Sequence, residues 1–341
     1  MDKTVSGYLI RTFSGLFFSI FSPIIAIGSL ILFIRIAKLT EVTHMSVEEM
    51  FLMYGYFIPT MLFYTLPITF FAALTLTMVR LSNDFENIVL FSFGIAPKTF
   101  LRYFAPLTLA ATALLLLLSL ALIPITKQLI KSFVNYKSIH AVLNIEASQF
   151  GQKFGDWLVF LADKDKKKNI LINLVLLNSA NPKEEQFLTA KYGKFFNENG
   201  IRGLKLYYGQ AYRISDEQID QINYKAMKIY HTQSVTPFSY RNLKEYWQAA
   251  GHDRKRRKDL IIYIAVSLFP IVSLFFAFAY GILHPRYDKN FSYPAILAVT
   301  TLYYGVLSSI AKTTPAGSAL FVIAVTAVGV WLFYKRIEQR F

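Results

Sequence analysis

The side chains best suited to binding a charged partner lie at the ends of long apolar segments of the chain. Arg35 and Lys38 follow the first segment, and Lys127 and Lys131 follow the third. Cations of this kind bind phosphate or carboxylate groups, but long basic side chains at the end of a membrane helix also extend to lipid headgroups. The positions therefore predict either an anionic ligand or ordinary contacts with lipid phosphates.

No residue pattern in the chain indicates catalysis or energy conversion. The sequence has no cysteine and five scattered histidines, which argues against a metal site. The G-x-x-x-x-G-K-[ST] and G-x-S-x-G motifs are absent, and the apolar segments carry no ionisable group besides tyrosine. We therefore predict no catalytic residue and no cofactor. If this chain moves a substrate, another chain must supply the energy.

The stretch between the second and third apolar segments has the pattern of a short helix with one apolar and one polar face. The apolar positions are Leu81, Phe85, Ile88 and Val89. The polar positions are Asp84, Glu86 and Asn87, and Gly94 is placed to end the helix. Such a helix could dock into a groove of a soluble ATPase, or its carboxylates could simply be solvated.

The apolar segments predict a membrane protein. Hydrophobic residues make up 54% of the chain and charged residues only 17%, below the ~25% of ordinary soluble domains. Six stretches free of Asp, Glu, Lys, Arg and His reach the ~20 residues that a spanning helix needs. They are Thr12–Ile34, Met50–Val79, Tyr103–Thr126, Leu260–Leu283, Asn290–Ala311 and Thr313–Tyr334. The formal charge of +15 favours contact with anionic lipid or an acidic ligand.

With six spans, both termini lie on one side of the membrane and the long segment after the third span lies on the other. Cationic flanks such as Arg80, Lys98 and Lys335 place the termini in the cytoplasm by the positive-inside rule. The basic run Arg254–Lys258 falls on the opposite side, so the charge rule is not uniform. In this orientation the four cations named first face the outer leaflet.

The part of the chain between the third and fourth spans predicts an all-β domain. From about residue 146 to 230, runs rich in aromatic and β-branched residues alternate with polar breaks, which indicates six to eight short antiparallel strands in a sandwich or jelly roll. After it, Leu243, Tyr246 and Trp247 recur at helical spacing and predict a short amphipathic connector. The predicted domains are 1–131 with a coupling helix at 81–94, 132–238, 239–258 and 259–341.

Several motifs resemble those of the YjgP/YjgQ family, the permease subunits LptF and LptG of the lipopolysaccharide exporter. The stretch Arg80–Leu90, followed by Gly94-Ile95-Ala96, resembles the family's signature between the second and third spans. Leu66-Pro67 lies in the second span as the family's Leu-Pro does, and Arg35 with Lys38 reproduces a pair of cations three apart. The order of three spans, a β domain and three spans resembles the family over nearly the whole chain.

The resemblance implies a fold, a function and a set of partners. The fold would be a polytopic α-helical membrane protein with a periplasmic jelly-roll-like domain inserted between spans three and four. The chain would be a permease subunit, not itself an enzyme, that extracts lipopolysaccharide from the inner membrane. Its partners would be an LptG-like permease, a cytoplasmic LptB-like ATPase dimer that uses the ATP, and a periplasmic LptC/LptA-like bridge. No nucleic acid is expected.

The resemblance also implies roles for individual residues. The contacts with the ATPase would be made by the coupling helix, at Asp84, Glu86, Asn87 and Gly94. Arg35 and Lys38 would meet lipid A phosphates. The family's two permease subunits enclose a cavity that takes lipopolysaccharide from the outer leaflet. Lys127 and Lys131 are added because of their position at the mouth of this cavity, and not because of a motif.

Between the two subunits, LptF is favoured. The stretch from Ala147 to Phe160 resembles that subunit's first strands, and His284-Pro285-Arg286 resembles its Asn-Pro-Arg after the fourth span. The start of the fourth span departs from the family's Glu-Leu-x-x-Arg, because here Asp259-Leu260 is followed two residues later by Tyr263.

A lipid with several acyl chains cannot cross water uncovered, because each buried methylene contributes ~0.8 kcal/mol. The predicted β domain should therefore offer an apolar groove that shelters the chains. Two other functions remain open: a subunit of a lipoprotein-release exporter, and a membrane scaffold or sensor that moves nothing. The release exporters usually insert their large domain after the first span, and here it follows the third.

Overall fold

The computed structural model describes residues 2–43, 45–143, 152–154, 157–165, 170–181, 184–198, 201–215, 219–230, 242–283, 291–311 and 315–339. The contacts divide the chain into two compact units. The helical unit consists of residues 1–39, 45–130 and 241–341, and the β unit consists of residues 40–44 and 131–240. Residues 284–286, part of the LptF resemblance, lie outside the described residues.

The helices before the β strands are α1 (Asp2–Thr43), α2 (Val47–Asn83), α3 (Glu86–Ser92), α4 (Pro97–Leu117) and α5 (Ile123–Leu143), with a π-helical turn at Leu118–Leu122 between the last two. After the strands come α6 (Leu243–Gln248), a 3-10 turn at Ala249–Gly251, α7 (Arg254–Gly281), α8 (Ser292–Ile310) and α9 (Pro315–Phe333), which ends in a π-helical turn at Tyr334–Glu338.

Within the described residues, six helical segments are long and apolar enough to cross a membrane. They are Thr4–Lys38, Val47–Asn83, Pro97–Val134, Arg254–Gly281, Ser292–Ile310 and Gly317–Glu338. Three precede the β strands and three follow them, which confirms the predicted membrane architecture. The third span is continuous from α4 through the π-helical turn into α5.

Helices α2 and α7 form the centre of the helical unit. Phe71 of α2 and Phe269 of α7 are fully buried and meet edge to face, with ring centroids 5.8 Å apart. The two backbones come close at Gly281, where an added Cβ would lie 2.5 Å from Met78 Cβ. Only a glycine permits this approach, so the end of α7 is fixed against α2. Leu9 and Phe13 of α1 are buried in the same apolar core.

Side-chain caps decide where two of the spans begin. Ser46 accepts from Glu49 N while the Glu49 carboxylate accepts from Ser46 N, so a capping box starts α2. Asp253 accepts from Lys255 N and caps α7, which therefore begins at Arg254. The basic run 254–258 thus forms the first turn of the fourth span. This corrects the predicted connector 239–258, which included the run.

The β unit contains one antiparallel sheet. Its described strands are β1 (Gln152–Phe154), β2 (Trp157–Asp165), β3 (Ile170–Asn181), β4 (Glu184–Glu198), β5 (Ile201–Ser215) and β6 (Ile219–Tyr230). They pair in chain order as a meander. The antiparallel β domain inserted between two sets of helices is confirmed. Several strands are longer than the short strands that were predicted. Strand β4, for example, has 15 residues and continues through Gly193.

One face of the sheet is apolar and buried, and the core there includes Val159, Leu176, Leu188 and Leu206. Asn173 and Tyr208 have positive φ values of 50° and 53° in the middle of β3 and β5. On the two sides of Asn173 the core residues change from odd to even numbers, as in Leu171 and Leu174. On the two sides of Tyr208 they change from even to odd numbers, as in Leu206 and Ala211. The left-handed residues therefore keep both halves of these strands directed at one core.

Candidate functional site

The segment between the second and third spans is two helices and not one. Helix α2 ends at Asn83, Phe85 takes a left-handed conformation with φ 58°, and α3 begins at Glu86. Gly94, with φ 82°, ends α3 in a Schellman motif, since its N–H bonds Phe91 O and Ile95 N bonds Leu90 O. The prediction that Gly94 ends the helix is confirmed.

The two carboxylates of this segment are held differently. Glu86 is half-buried and accepts a hydrogen bond of 2.8 Å from the Tyr8 hydroxyl, which ties α3 to α1. Asp84 is exposed, and its Oδ2 lies 3.8 Å from Arg80 Nε. Asp84 is thus free to meet a partner, whereas Glu86 can do so only while it shares its carboxylate with Tyr8.

Asn87 lies on the inner side of α3, which corrects the prediction that it belongs to the polar outer face. The residue is 1% exposed, and its Nδ2 donates to Ser82 Oγ at 2.8 Å and to Met78 O at 3.3 Å. The break at Phe85 explains the difference, because it restarts the helix with a different rotation from the one that a continuous helix from Leu81 would have. Asn87 is not available for direct contact with a partner.

The same break brings apolar residues to the surface. Phe85, Val89 and Phe93 follow one another at four-residue spacing and are 53%, 50% and 69% exposed. Phe85 and Val89 belong to the predicted apolar face, and the structure exposes both, which is a second correction. Phe85 and Phe93 flank the two ends of α3, and exposed apolar residues at this spacing are typical of a contact with another protein or with the membrane. We call these three residues the apolar row of α3.

Arg35 and Lys38 lie near the end of α1 and are both exposed. The Arg35 guanidinium carbon lies 5.9 Å from the centre of the Phe57 ring in α2, which orients the side chain without neutralising it. Among the residues that the structure describes, no carboxylate pairs with either cation.

Lys127 is placed differently from the other predicted cations. Its Nζ lies 2.8 Å from Asp259 Oδ2 in α7 and 5.3 Å from the centre of the Tyr263 ring. Lys127 therefore already has a counter-ion within the helical unit. Lys131, four residues later in α5, belongs to the β unit and is exposed. Within the helical unit, no described contact joins Lys127 to Arg35 or Lys38.

Two members of the basic run hold the connector. Arg257 Nε donates to Ala250 O at 3.2 Å and its Nη2 donates to Gly251 O, while Arg256 stacks on Tyr246 with its guanidinium carbon 4.9 Å from the ring centre. These contacts satisfy carbonyls at the end of the 3-10 turn. Arg254 and Lys255 are exposed and remain available for anionic groups.

The connector is also fixed to the third span. Trp247 of α6 donates from Nε1 to Leu120 O at 2.8 Å. Leu120 lies in the π-helical turn, where the wider winding shifts carbonyls out of the regular ladder. In the same turn, the hydroxyl oxygens of Ser119 and Ser267 of α7 are 3.2 Å apart. The π-helical turn thus joins α6 and α7 to the third span.

The apolar face of the sheet extends into an open cavity in the β unit. Leu188, Ala211 and Ile222 are cross-strand partners in β4, β5 and β6, and share one face of the sheet. Leu188 is buried, whereas Ile222 is 60% exposed. A cavity of about 560 Å³ runs along these residues and also meets Trp157 and Met227. We call Leu188, Ala211 and Ile222 the apolar floor of the cavity. The cavity is open to solvent at β6, where Ile222 is exposed.

Three of the contacts described above were not predicted. Asp259 directly follows the basic run, and a carboxylate at the start of an apolar span indicates a pairing with a cation. Tyr8 carries no such signal, because Glu86 is 78 positions away. Ser82 is close to Asn87 in sequence, but the contact depends on the break at Phe85, which the pattern does not predict. Within the described residues, no group of three His, Cys, Asp or Glu is placed to hold a metal ion.

The comparison with known families agrees with this geometry. Residues 7–335 match the family model described as the lipopolysaccharide export system permease LptF/LptG. No curated protein matches the chain. The match runs from α1, through the segment with α3 and the β unit, to the π-helical turn after α9. The chain therefore belongs to the LptF/LptG family, which makes it a transport permease of lipopolysaccharide export and a multi-pass protein of the inner membrane.

Proposed function

We propose that this chain is an LptF-type permease subunit that extracts lipopolysaccharide from the inner membrane, driven by a separate cytoplasmic ATPase. The observation that carries the proposal is the apolar row of α3. This row lies on a short helix between two spans, where a soluble motor can reach it. The termini and α3 would face the cytoplasm, and the β unit would face the periplasm.

The ATPase contact combines an apolar centre with a charged edge. Phe85, Val89 and Phe93 would enter a groove of an LptB-like ATPase dimer, and burying them would supply most of the contact energy. Asp84 lies beside the row and is exposed, so its carboxylate would select a basic partner surface. Glu86 would act partly through Tyr8, since the carboxylate is already hydrogen-bonded to it.

The lipid A phosphates would bind near the end of α1 and near the start of α5. Arg35 and Lys38 have no counter-ion among the described residues, so an incoming phosphate gains charge-assisted hydrogen bonds without displacing one. Lys127 would join them only by sharing its ammonium with Asp259. Lys131 is exposed and would add a further charge. These roles give the cations a function beyond contacts with headgroups.

The cavity of the β unit would shelter acyl chains after extraction. Its floor of Leu188, Ala211 and Ile222 offers apolar surface in place of water, and its open side at β6 would let a chain enter laterally. Each methylene covered in this way saves ~0.8 kcal/mol. A periplasmic LptC/LptA-like bridge would then continue the path, and an LptG-like permease would complete the membrane cavity.

Co-purification with the ATPase tests the proposal. We expect a co-expressed LptB-like ATPase to purify with the chain and to be lost with Val89→Glu, because a carboxylate would be buried at the centre of the contact. Asn83→Glu is the matched control, since it adds the same charge at an exposed position just before α3. Full retention of the ATPase by Val89→Glu would remove α3 as the docking site.

A further inference from the structure

A buried polar network joins α3 to the ends of α2 and α7. Asn87 Nδ2 donates to Ser82 Oγ at 2.8 Å. Ser82 Oγ in turn donates to Gly281 O at 3.1 Å and accepts from Leu283 N at 3.0 Å. Ser82 is fully buried and Asn87 is 1% exposed, so water does not compete for these bonds. One hydroxyl thus connects the side chain of α3 with the last residues of α7.

The network lies where α2 and α7 are in closest contact. An added Cβ at Gly281 would lie 2.8 Å from Thr75 O as well as 2.5 Å from Met78 Cβ. Met78 O is also the second acceptor of the Asn87 amide. A displacement of α3 therefore pulls on both helices at a point where neither has room to yield separately.

The network is incomplete in one respect. Asn87 Oδ1 is buried and has no donor among the described residues. An unsatisfied buried carbonyl raises the free energy of this arrangement relative to one in which a donor reaches it. An arrangement with a small deficit of this kind is suited to a part that changes position during a cycle, because a second position can satisfy the oxygen.

Two further polar contacts tie the same region to other spans. Tyr8 of α1 bonds Glu86, and Lys98 at the start of α4 forms an ion pair with Glu338 in the π-helical turn after α9. Each contact includes one exposed side chain, Tyr8 or Lys98, so each is weaker than a buried bond. The contact with α7 is the buried one, and it is therefore the strongest route from α3 into the bundle.

We propose that Asn87 and Ser82 are positioning residues that make α7 move with α3 when the ATPase acts. This inference rests on the proposed function and assigns one of its steps to two residues. Helix α7 is continuous from Arg254 to Gly281 and passes Asp259 near its other end. Asp259 and Gly281 are 22 positions apart (281 − 259), or about 33 Å along a helix. A shift at Gly281 thus reaches the carboxylate that holds Lys127.

The test uses the complete complex of this chain with its permease partner and the ATPase. The chain has no cysteine, so Ile34→Cys and Lys255→Cys can be spin-labelled without further changes. Both positions are exposed, one near the end of α1, outside the α2–α7 pair, and the other at the start of α7. We expect nucleotide to change the distance between the labels in the parent protein. The change should be lost in Asn87→Leu, which keeps the branching at Cγ but removes the donor.

A second measurement separates transmission from stability. Asn87→Leu and Ser82→Ala should keep the ATPase bound and hydrolysing, while the lipopolysaccharide released per ATP falls about five-fold or more, the lower range for coupling between two sites. Thr77→Val is the matched control, because Thr77 is a buried residue of α2 whose described hydrogen bond is to Ala73 O in its own helix. It should leave both quantities unchanged.

The outcomes are distinct. If the ATPase does not bind the parent chain, the proposed function fails and this inference fails with it. If the ATPase binds but the labels do not move with nucleotide, the inference alone is wrong. It is equally wrong if both variants show the parental change in distance and the parental yield per ATP. If Asn87→Leu does not fold, Ser82→Ala decides, since it deletes only the bridging hydroxyl.

Discussion

Lys127 Nζ lies 2.8 Å from Asp259 Oδ2, and this contact joins α5 to the second turn of α7. An anion that binds Lys127 must either share its ammonium with the carboxylate or displace it. Both side chains are partly exposed, so the pair contributes at most about 1 kcal/mol. Asp259 would therefore compete only weakly with an anion for Lys127. The pair is strong enough to lower the affinity for the anion, and weak enough for the anion to displace the carboxylate.

Removing this competitor should strengthen anion binding. We expect Asp259→Asn to raise the lipopolysaccharide retained by the nucleotide-free complex by about two- to five-fold, the equivalent of the weak ion pair. The measurement is photocrosslinking from a position beside Lys127. Asp253→Asn is the matched control, because it also removes a carboxylate near the basic run and an asparagine can still cap α7. Equal retention in both variants would mean that Lys127 does not meet the lipid.

The cations of α1 are expected to act in the opposite direction. The double variant Arg35→Ala with Lys38→Ala should lower crosslinking to lipopolysaccharide about five-fold or more, because two charge-assisted contacts are lost. The loss should shrink at high salt, since both side chains are exposed and screened. Lys255→Ala serves as the control for a single exposed cation. Unchanged crosslinking in the double variant would assign Arg35 and Lys38 to lipid headgroups.

The spans and the position of α3 could be predicted from the sequence, because six charge-free runs reach membrane length and Gly94 is placed to end a helix. The orientation of α3 could not. A left-handed Phe85 breaks the helix, and phenylalanine carries no sequence signal for that conformation. The break turns Asn87 inwards, and it exposes Phe85 and Val89.

The same limit applies to contacts that join distant parts of the chain. Asp259 and Lys127 are 132 positions apart, and Ser82 and Gly281 are 199 apart. Composition and periodicity describe single segments, so they predict which residues are apolar but not which neighbour a polar residue finds. In the β unit, Tyr208 has a positive φ within β5. The sequence does not predict this conformation, because tyrosine is not a residue that favours a positive φ.

The cavity of the β unit is expected to tolerate no charge on its apolar floor. Ile222→Glu should abolish crosslinking of acyl chains to the β unit, because a carboxylate at this position would have to lose its hydration when a chain arrives. Folding should be preserved, since Ile222 is 60% exposed. Ile219→Glu is the matched control in the same strand, because Ile219 is exposed and does not line the cavity. Normal acyl crosslinking in Ile222→Glu would exclude this cavity from the path.

The contact between α2 and α7 is expected to depend on the absence of a side chain at Gly281. Gly281→Ala would place a methyl group 2.5 Å from Met78 Cβ and 2.8 Å from Thr75 O, and neither a Cβ nor a backbone oxygen can move alone. We expect a loss of about 1–3 kcal/mol, the usual cost of overpacking, seen as a lower melting temperature in detergent. Gly305→Ala in α8 is the control, because nothing lies within 4 Å of its added Cβ and alanine favours a helix. If both variants melt at the parental temperature, α2 and α7 have room to separate, and the tight approach cannot be what makes them move together.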